Sequence, residues 1–246
     1  YTEQKGDVKT RMAVTKLDYE KTIFKTWALE TGAKASWVST RNQFLSSNGT
    51  NENDILKNVD ASNDFNYDEA IYAVYLSTSK KWKDNWFFDL GIRVERTEAD
   101  GFSPTLDSTF KRRYNSVFPN LAISYTVQKK YSLSASATRR VRRPSYYQLN
   151  PFSTQINQFS YENGNPYLNA QFTDVVKLSW GLRNKYFFTL SASQTLGQMT
   201  NIIDQQDDLE RQVHTLMNVD DFYNYSFNTS VPVKLYEWWN MNWNFT

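Results

Sequence analysis

The chain offers one imidazole and no thiol. His214 is the single histidine in 246 residues, and cysteine is absent. A Ser-His or Asp-His catalytic pair would therefore have to pass through His214, while thiolate nucleophiles, disulfides and Cys-ligated metals are excluded. No second motif supports His214 as a base, and it is expected as a surface residue where a loop returns to a strand. The chain is accordingly expected not to be an enzyme. Acidic residues gather between Asn51 and Asp68, but the spaced D-x-D-x-D-G loop of a calcium site is missing. Solvated loop charge is expected there, with no metal and no cofactor. The 28 basic residues face 26 acidic ones for a net charge of +2, without a basic block, so nucleic acid has little to hold.

The remaining charges with a regular spacing are Glu30, Lys34, Asp89, Arg93, Glu95 and Lys177, with Arg183 close behind. Each falls on the polar phase of a stretch that alternates with period two. From Thr26 to Val38, Trp27, Leu29, Ala33, Ala35 and Trp37 share one face, and Ala28, Glu30, Gly32, Lys34 and Ser36 the other. From Trp86 to Glu95, Trp86, Phe88, Leu90, Ile92 and Val94 oppose Phe87, Asp89, Gly91, Arg93 and Glu95. Leu121 to Val127 and Tyr131 to Ala137 repeat the pattern, with small polar residues on the second face. Less regular strands are expected over Val8 to Tyr19, Phe65 to Ser79, Phe172 to Leu182, Tyr186 to Ile203, Val213 to Val231, and from Glu237 onward. That makes ten strands and no helix of domain scale.

These strands carry 8 Trp, 16 Tyr and 16 Phe at a mean hydropathy of −0.67. No run approaches the ~18 apolar residues of a membrane helix, but a transmembrane β-barrel shows lipid only every second side chain and keeps a low average hydropathy. Connection lengths point the same way. Short connections at Glu20 to Lys25, Lys80 to Asn85, Gln128 to Lys130, Arg183 to Lys185 and Pro232 to Tyr236 alternate with long polar ones at about 41–64, 97–115, 141–171 and 204–212. Tight periplasmic turns alternating with long extracellular loops is the rhythm of an outer-membrane barrel. Rings also bracket the short turns: Tyr19 and Trp27, Trp82 and Trp86, Tyr125 and Tyr131, Trp180 and Tyr186, Tyr236 and Trp238. Amphipathic rings collect at the headgroup level. Charge facing lipid costs ~2 to 4 kcal/mol for a midplane Arg or Lys, so the seven charges named above are expected to face an enclosed lumen.

The longest connection carries a signature. RRPSYYQLNPF from Arg142, followed by YENGNPYLNAQFTDVVKLSW from Tyr161, resembles the pattern of TonB-dependent receptor barrels of the Bacteroidota type. KLDYEK, LETGAKAS, FNYDEAIYAVYLS, LGIRVERTEADG and FPNLAISY fit the same family in the same order. The resemblance implies an all-β, antiparallel up-and-down transmembrane barrel of the 22-stranded plugged kind. The chain, read as a single incomplete domain over residues 1–246, is expected to supply about ten of those strands. It further implies the Gram-negative outer membrane, uptake of a siderophore, glycan, peptide or vitamin, and a plug domain and TonB complex as partners. Outer-membrane lipid and lipopolysaccharide are expected around it, with a surface lipoprotein as a further partner. The alternatives are a non-transporting barrel acting as scaffold or adhesin, and a soluble carbohydrate-binding protein.

Within the signature, Arg143, Pro144, Ser145, Tyr146, Leu149, Asn150, Pro151 and Phe152, with Gly164, Asn165 and Pro166, read as loop architecture. The prolines fix φ, and Gly-Asn-Pro suits a tight turn. Arg140, Arg142 and Arg143 are expected to bond loop carbonyls and carboxylates, or alternatively an anionic ligand.

Overall fold

The structure, a computed structural model, describes residues 2–49, 55–128 and 130–246. Ten strands form one antiparallel sheet in chain order: β1 (Thr2–Ile23), β2 (Trp27–Gly49), β3 (Ile55–Trp82), β4 (Trp86–Ser103), β5 (Ser108–Val127), β6 (Tyr131–Arg142), β9 (Gln171–Leu182), β10 (Tyr186–Leu196), β13 (Phe222–Tyr236) and β14 (Trp239–Phe245). A second sheet of four short strands, in the order β11 (Met199–Gln206), β12 (Arg211–Asn218), β8 (Ser160–Asn163) and β7 (Ser153–Asn157), is built entirely from two excursions out of the first. The long excursion also carries one helical turn, α1 (Tyr146–Leu149).

Cross-strand register shows why the alternation matters, because paired residues point to the same side of a sheet. Leu17, Ala33, Val74, Val94 and Val117 form one row across β1 to β5. Leu121, Ala137, Val176, Ala192 and Tyr225 continue the same face across β5 to β13. Among the described residues nothing covers this face: Val74 and Val176 are each 59% exposed. One residue along, the rows read Lys16, Lys34, Ala73, Glu95 and Ser116, then Ala122, Ser136, Lys177, Ser191 and Ser226. An oily face ten strands wide is stable only against an apolar solvent, and the ladder that backs it satisfies the backbone between strands, as hydrocarbon requires.

The strands run past the oily band. Arg96, Glu98 and Asp100 continue the outward face of β4 beyond Val94, and Arg41 and Asp68 do the same on β2 and β3. Arg41 grips Asp68 with two bonds of 3.2 and 3.0 Å, and Arg113 lies 3.8 Å from Glu98 and 3.6 Å from Asp100. Two expected loops are corrected by this. The span 97–115 is a hairpin whose strands end at Ser103 and resume at Ser108, and 41–64 is paired strand to Gly49 and again from Ile55. Above the bilayer the outward residues are free to be charged, so apolar alternation stops while the ladder continues.

The short turns match expectation at one end of the sheet. Phe24 with Lys25, Lys83 with Asp84, and Arg183 with Asn184 all take positive φ, the pairing of left-handed residues that suits tight hairpins. Rings pack beside them: Trp86 tilted against Tyr125 at 4.5 Å, Trp180 stacked on Phe188 at 5.5 Å, and Tyr236 stacked on Trp238 at 5.8 Å. Two assignments change here. Arg183 lies in the expected turn at 183–185, which takes it out of the lumen-facing set, and Pro232 to Tyr236 is the end of β13, not a connection.

The strand expected from Tyr186 to Ile203 ends at Leu196, and that from Val213 to Val231 is split at 219–221. Gly197 at φ +61 breaks the ladder, and the Asn218 side-chain amide seals the break by donating to the Gly197 carbonyl at 2.7 Å. The excursion is therefore the whole β11–β12 hairpin, with 204–212 only its tip. The core of the molecule sits where both excursions meet the wall: Phe65, Tyr67 and Ala99 pack with Leu149, Leu168 and Met199.

Adjacent residues on β5 test the two faces. In lipid vesicles Leu121→Arg should lower unfolding stability by ~2–4 kcal/mol, the cost of charge at the bilayer midplane. Ala122→Arg, beside Asp89 on the polar face, should cost under about 1 kcal/mol. Urea titration of the two variants decides it, and equal losses would refute the assignment.

Candidate functional site

The long excursion, 143–170, is held shut by its own signature. Ser145 caps α1 with a reciprocal pair of bonds, Gln148 N to Ser145 Oγ at 3.4 Å and Ser145 N to Gln148 Oε1 at 2.9 Å, the capping box that such a short turn needs to persist. Leu149 then drops into the core and Tyr146 packs beside it. Asn150 Oδ1 accepts from Phe152 N at 3.3 Å, which closes the turn over Pro151, and Phe152 meets Phe44 of β2 at 6.4 Å. The return leg crosses so close that a Cβ on Gly164 would run into the Asn150 carbonyl. Only glycine fits there. Asn165 N donates to Gln148 O at 2.7 Å, and Asn165 Oδ1 accepts from Tyr167 N at 2.9 Å around Pro166.

Three ties fix this folded loop to its surroundings. Arg143 reaches down from the end of β6 to donate to Glu95 and, at 3.1 Å, to Thr97 Oγ1. Arg112 of β5 donates to the Pro166 carbonyl. Asn165 Nδ2 donates to the Leu216 carbonyl at 3.0 Å, and Asn169 N to Asn218 Oδ1 at 2.7 Å, which bind the loop to the β11–β12 hairpin. Pro144 is buried at the first tie, whereas Arg140 and Arg142 are exposed.

The expected interior charges divide into two groups. Glu95 is buried and clamped from both sides, by Arg93 Nε at 2.6 Å and by Arg143. Arg93 also lies over the Tyr75 ring, 5.6 Å from its centroid, and the Tyr75 hydroxyl donates to Asp18, which pairs with Lys16 at 2.7 Å. Tyr75 reaches Asp18 by crossing Gly32, where any Cβ would strike its phenol. Glu30, Lys34, Asp89 and Lys177 lie on the same polar face, with Glu30 accepting from Ser77 at 3.4 Å. Arg183 is outside this set.

Where β8 pairs with β12 in parallel, the loop and the hairpin enclose a cavity of about 280 Å³. Tyr147, Phe152 and Glu162 line one side, and Asn201 and His214 the other. Asn201 Nδ2 donates to His214 Nδ1 at 3.3 Å, which leaves the other ring nitrogen as the N–H donor. The Tyr147 hydroxyl donates to Glu162 at 3.2 Å, and burial together with that carboxylate pushes the phenol's pKa up. His214 thus belongs to a cavity wall, a placement the sequence reading missed. The only available signal was its position near a loop end. Among the described residues no cluster of His, Asp or Glu could hold a metal ion. Of the acidic run at 51–68, residues 51–54 lie outside the described residues, and Asp68 is spent on Arg41.

A family model described as an outer membrane protein beta-barrel family matches residues 1–246. No curated protein sequence matches the chain. Among solved structures, the chain is similar to the Serratia marcescens hemophore receptor HasR, solved with its hemophore HasA and heme, at 9% identity and TM-score 0.64 over 93% of this chain and 40% of that one. It is similar to the copper transporter OprC at 12% identity and TM-score 0.67, covering 98% and 39%. It is also similar to the ferric yersiniabactin uptake receptor FyuA from Yersinia pestis at 10% and 0.58, covering 99% and 35%. The chain thus spans about two fifths of the length of the receptors it matches, and at such identities the likeness is one of fold.

The Glu95 clamp generates a prediction. Arg143→Met leaves a buried carboxylate short of a partner and should destabilise the chain by about 3–5 kcal/mol. Adding Glu95→Gln should recover part of that loss, because the stranded charge goes with it. Denaturant melts of the two single variants and the double variant would show additive losses if the pair were not coupled.

Proposed function

Since the chain belongs to the outer membrane protein beta-barrel family, we propose that it is wall and loop from a TonB-dependent receptor that takes up a nutrient. The solute is of the siderophore, glycan, peptide or vitamin class. The observation that carries this reading is the two-faced wall: ten strands oily toward lipid and polar inward, with a rigid second sheet folded over the polar face at the long-loop end. In this reading that end faces the cell exterior and captures the solute. The polar face, with Lys16, Asp18, Arg93 and Lys177, meets an N-terminal plug domain. TonB supplies the work that shifts the plug, and lipopolysaccharide surrounds the outward charges beyond the oily band. The chain catalyses no reaction. Its neighbours' named cargoes, heme, copper and a ferric chelate, support uptake as a class without selecting a solute.

A scaffold or adhesin for surface lipoproteins would use the same wall without coupling to energy, so energy coupling is the discriminating property. In cells with and without the full-length receptor, each in TonB-positive and TonB-negative backgrounds, solutes remaining in spent medium should be compared. Uptake predicts at least one solute depleted only when receptor and TonB are both present. Identical depletion in all four strains would exclude it.

A further inference from the structure

We propose that the cavity between the long loop and the β11–β12 hairpin holds a single neutral sugar unit of the captured solute. This deepens the uptake reading by naming a solute class for its loop site, and it rests on that reading for its biological meaning.

The lining of the cavity argues for a neutral ligand. No lysine or arginine reaches it, and its one formal charge is Glu162. An anionic chelate, carboxylate or phosphate would enter against that carboxylate with no cation to receive it. What the cavity does present is a set of carboxamides, from Gln148, Asn150, Asn163 and Asn201, together with the His214 imidazole. Gln148 and Asn150 spend their carbonyl oxygens on Ser145 N and Phe152 N and so offer N–H donors, Asn201 Oδ1 and Glu162 offer acceptors, and a ring nitrogen of His214 donates. Vicinal hydroxyls, each donor and acceptor at once, are the ligand groups such a set can satisfy in pairs. Asn163, a lining residue, has an Oδ1 that is buried and lacks a hydrogen-bond partner among the described residues, an acceptor left without a protein donor.

The apolar lining fits the same ligand. Tyr147 and Phe152 bring aromatic rings to the lining, and a pyranose carries a C–H face able to pack on such a ring. Size sets the limit: about 280 Å³ is at the small end of ligand pockets, which run to roughly 1,000 Å³, so it suits one ring of a glycan and not a metal chelate of several. The loop's own bonds hold the walls before any ligand arrives, which lowers the ordering cost of binding.

Saturation-transfer NMR and calorimetry on the detergent-solubilised receptor would test this with maltotetraose, xylotetraose and chitotetraose as neutral probes, and tetragalacturonate and ferric citrate as anionic ones. At least one neutral probe should bind and both anionic probes should not. Asn201→Ala and Glu162→Gln should each weaken that binding about tenfold. Tyr147→Phe, which keeps the ring, should retain affinity that Tyr147→Ala loses, with unchanged β-sheet circular dichroism confirming the fold of every variant. Binding of the anionic probes alone, binding of no probe, or neutral binding indifferent to all these substitutions would overturn the proposal. Because the assay scores binding and not transport, a receptor that binds a glycan but depletes no medium would sink the uptake reading and leave this one standing.

Discussion

Backbone amides cannot be left bare in hydrocarbon, and each unpaired group there costs several kcal/mol. Everything else in this chain follows from that constraint. Each wall strand pairs with its sequence neighbour or with the next strand of the wall, from β1 through β14. Antiparallel pairing by tight turns is the shortest way to satisfy the ladder. Once the backbone is satisfied, side chains need only sort themselves by solvent, and a period of two sorts them at every step. Leu121 meets lipid because Ala122 does not.

The same ladder sets the limits of the loop site. A loop lying over the polar face must satisfy its own backbone, and this one does so with a capping box, Asx turns at Asn150 and Asn165, and a parallel strand pair between β8 and β12. Glycine appears where two chains must touch: Gly164 against Asn150, and Gly32 beneath Tyr75. The result is a platform bonded to the wall through Arg143 and Arg112. A cavity whose walls are bonded in this way can recognise a ligand with little ordering cost.

Much of the wall was legible because lipid enforces the pattern. Trp27 to Trp37 and Trp86 to Val94 alternate with hardly an exception, and the structure makes both stretches strands with their rows on the faces read from the sequence. Legibility failed where the enforcing solvent was gone. Beyond Val94 the outward positions become Arg96, Glu98 and Asp100, so paired strand looked like loop. At Gly197 the alternation carries on into β11 while the chain leaves the wall, so two strands looked like one. In sequence Arg183 reads both as part of a short connection and as a lumen-facing charge, and only the connection holds. The signature residues read as architecture in the sequence, but their partners were invisible there. Arg143 and Glu95 were each singled out, and only the fold brings them together across 48 positions.

The central claim is that one face of this sheet looks at acyl chains and the other does not. With no native cysteine in the sequence, single cysteines can be placed in turn from Phe88 to Glu95 and spin-labelled in lipid vesicles. The account predicts that contact with dissolved oxygen peaks at 88, 90, 92 and 94, while a water-soluble nickel reagent reaches 89, 91 and 93, and position 95 is shielded beneath the loop. A flat profile, or one with the two phases exchanged, would contradict it.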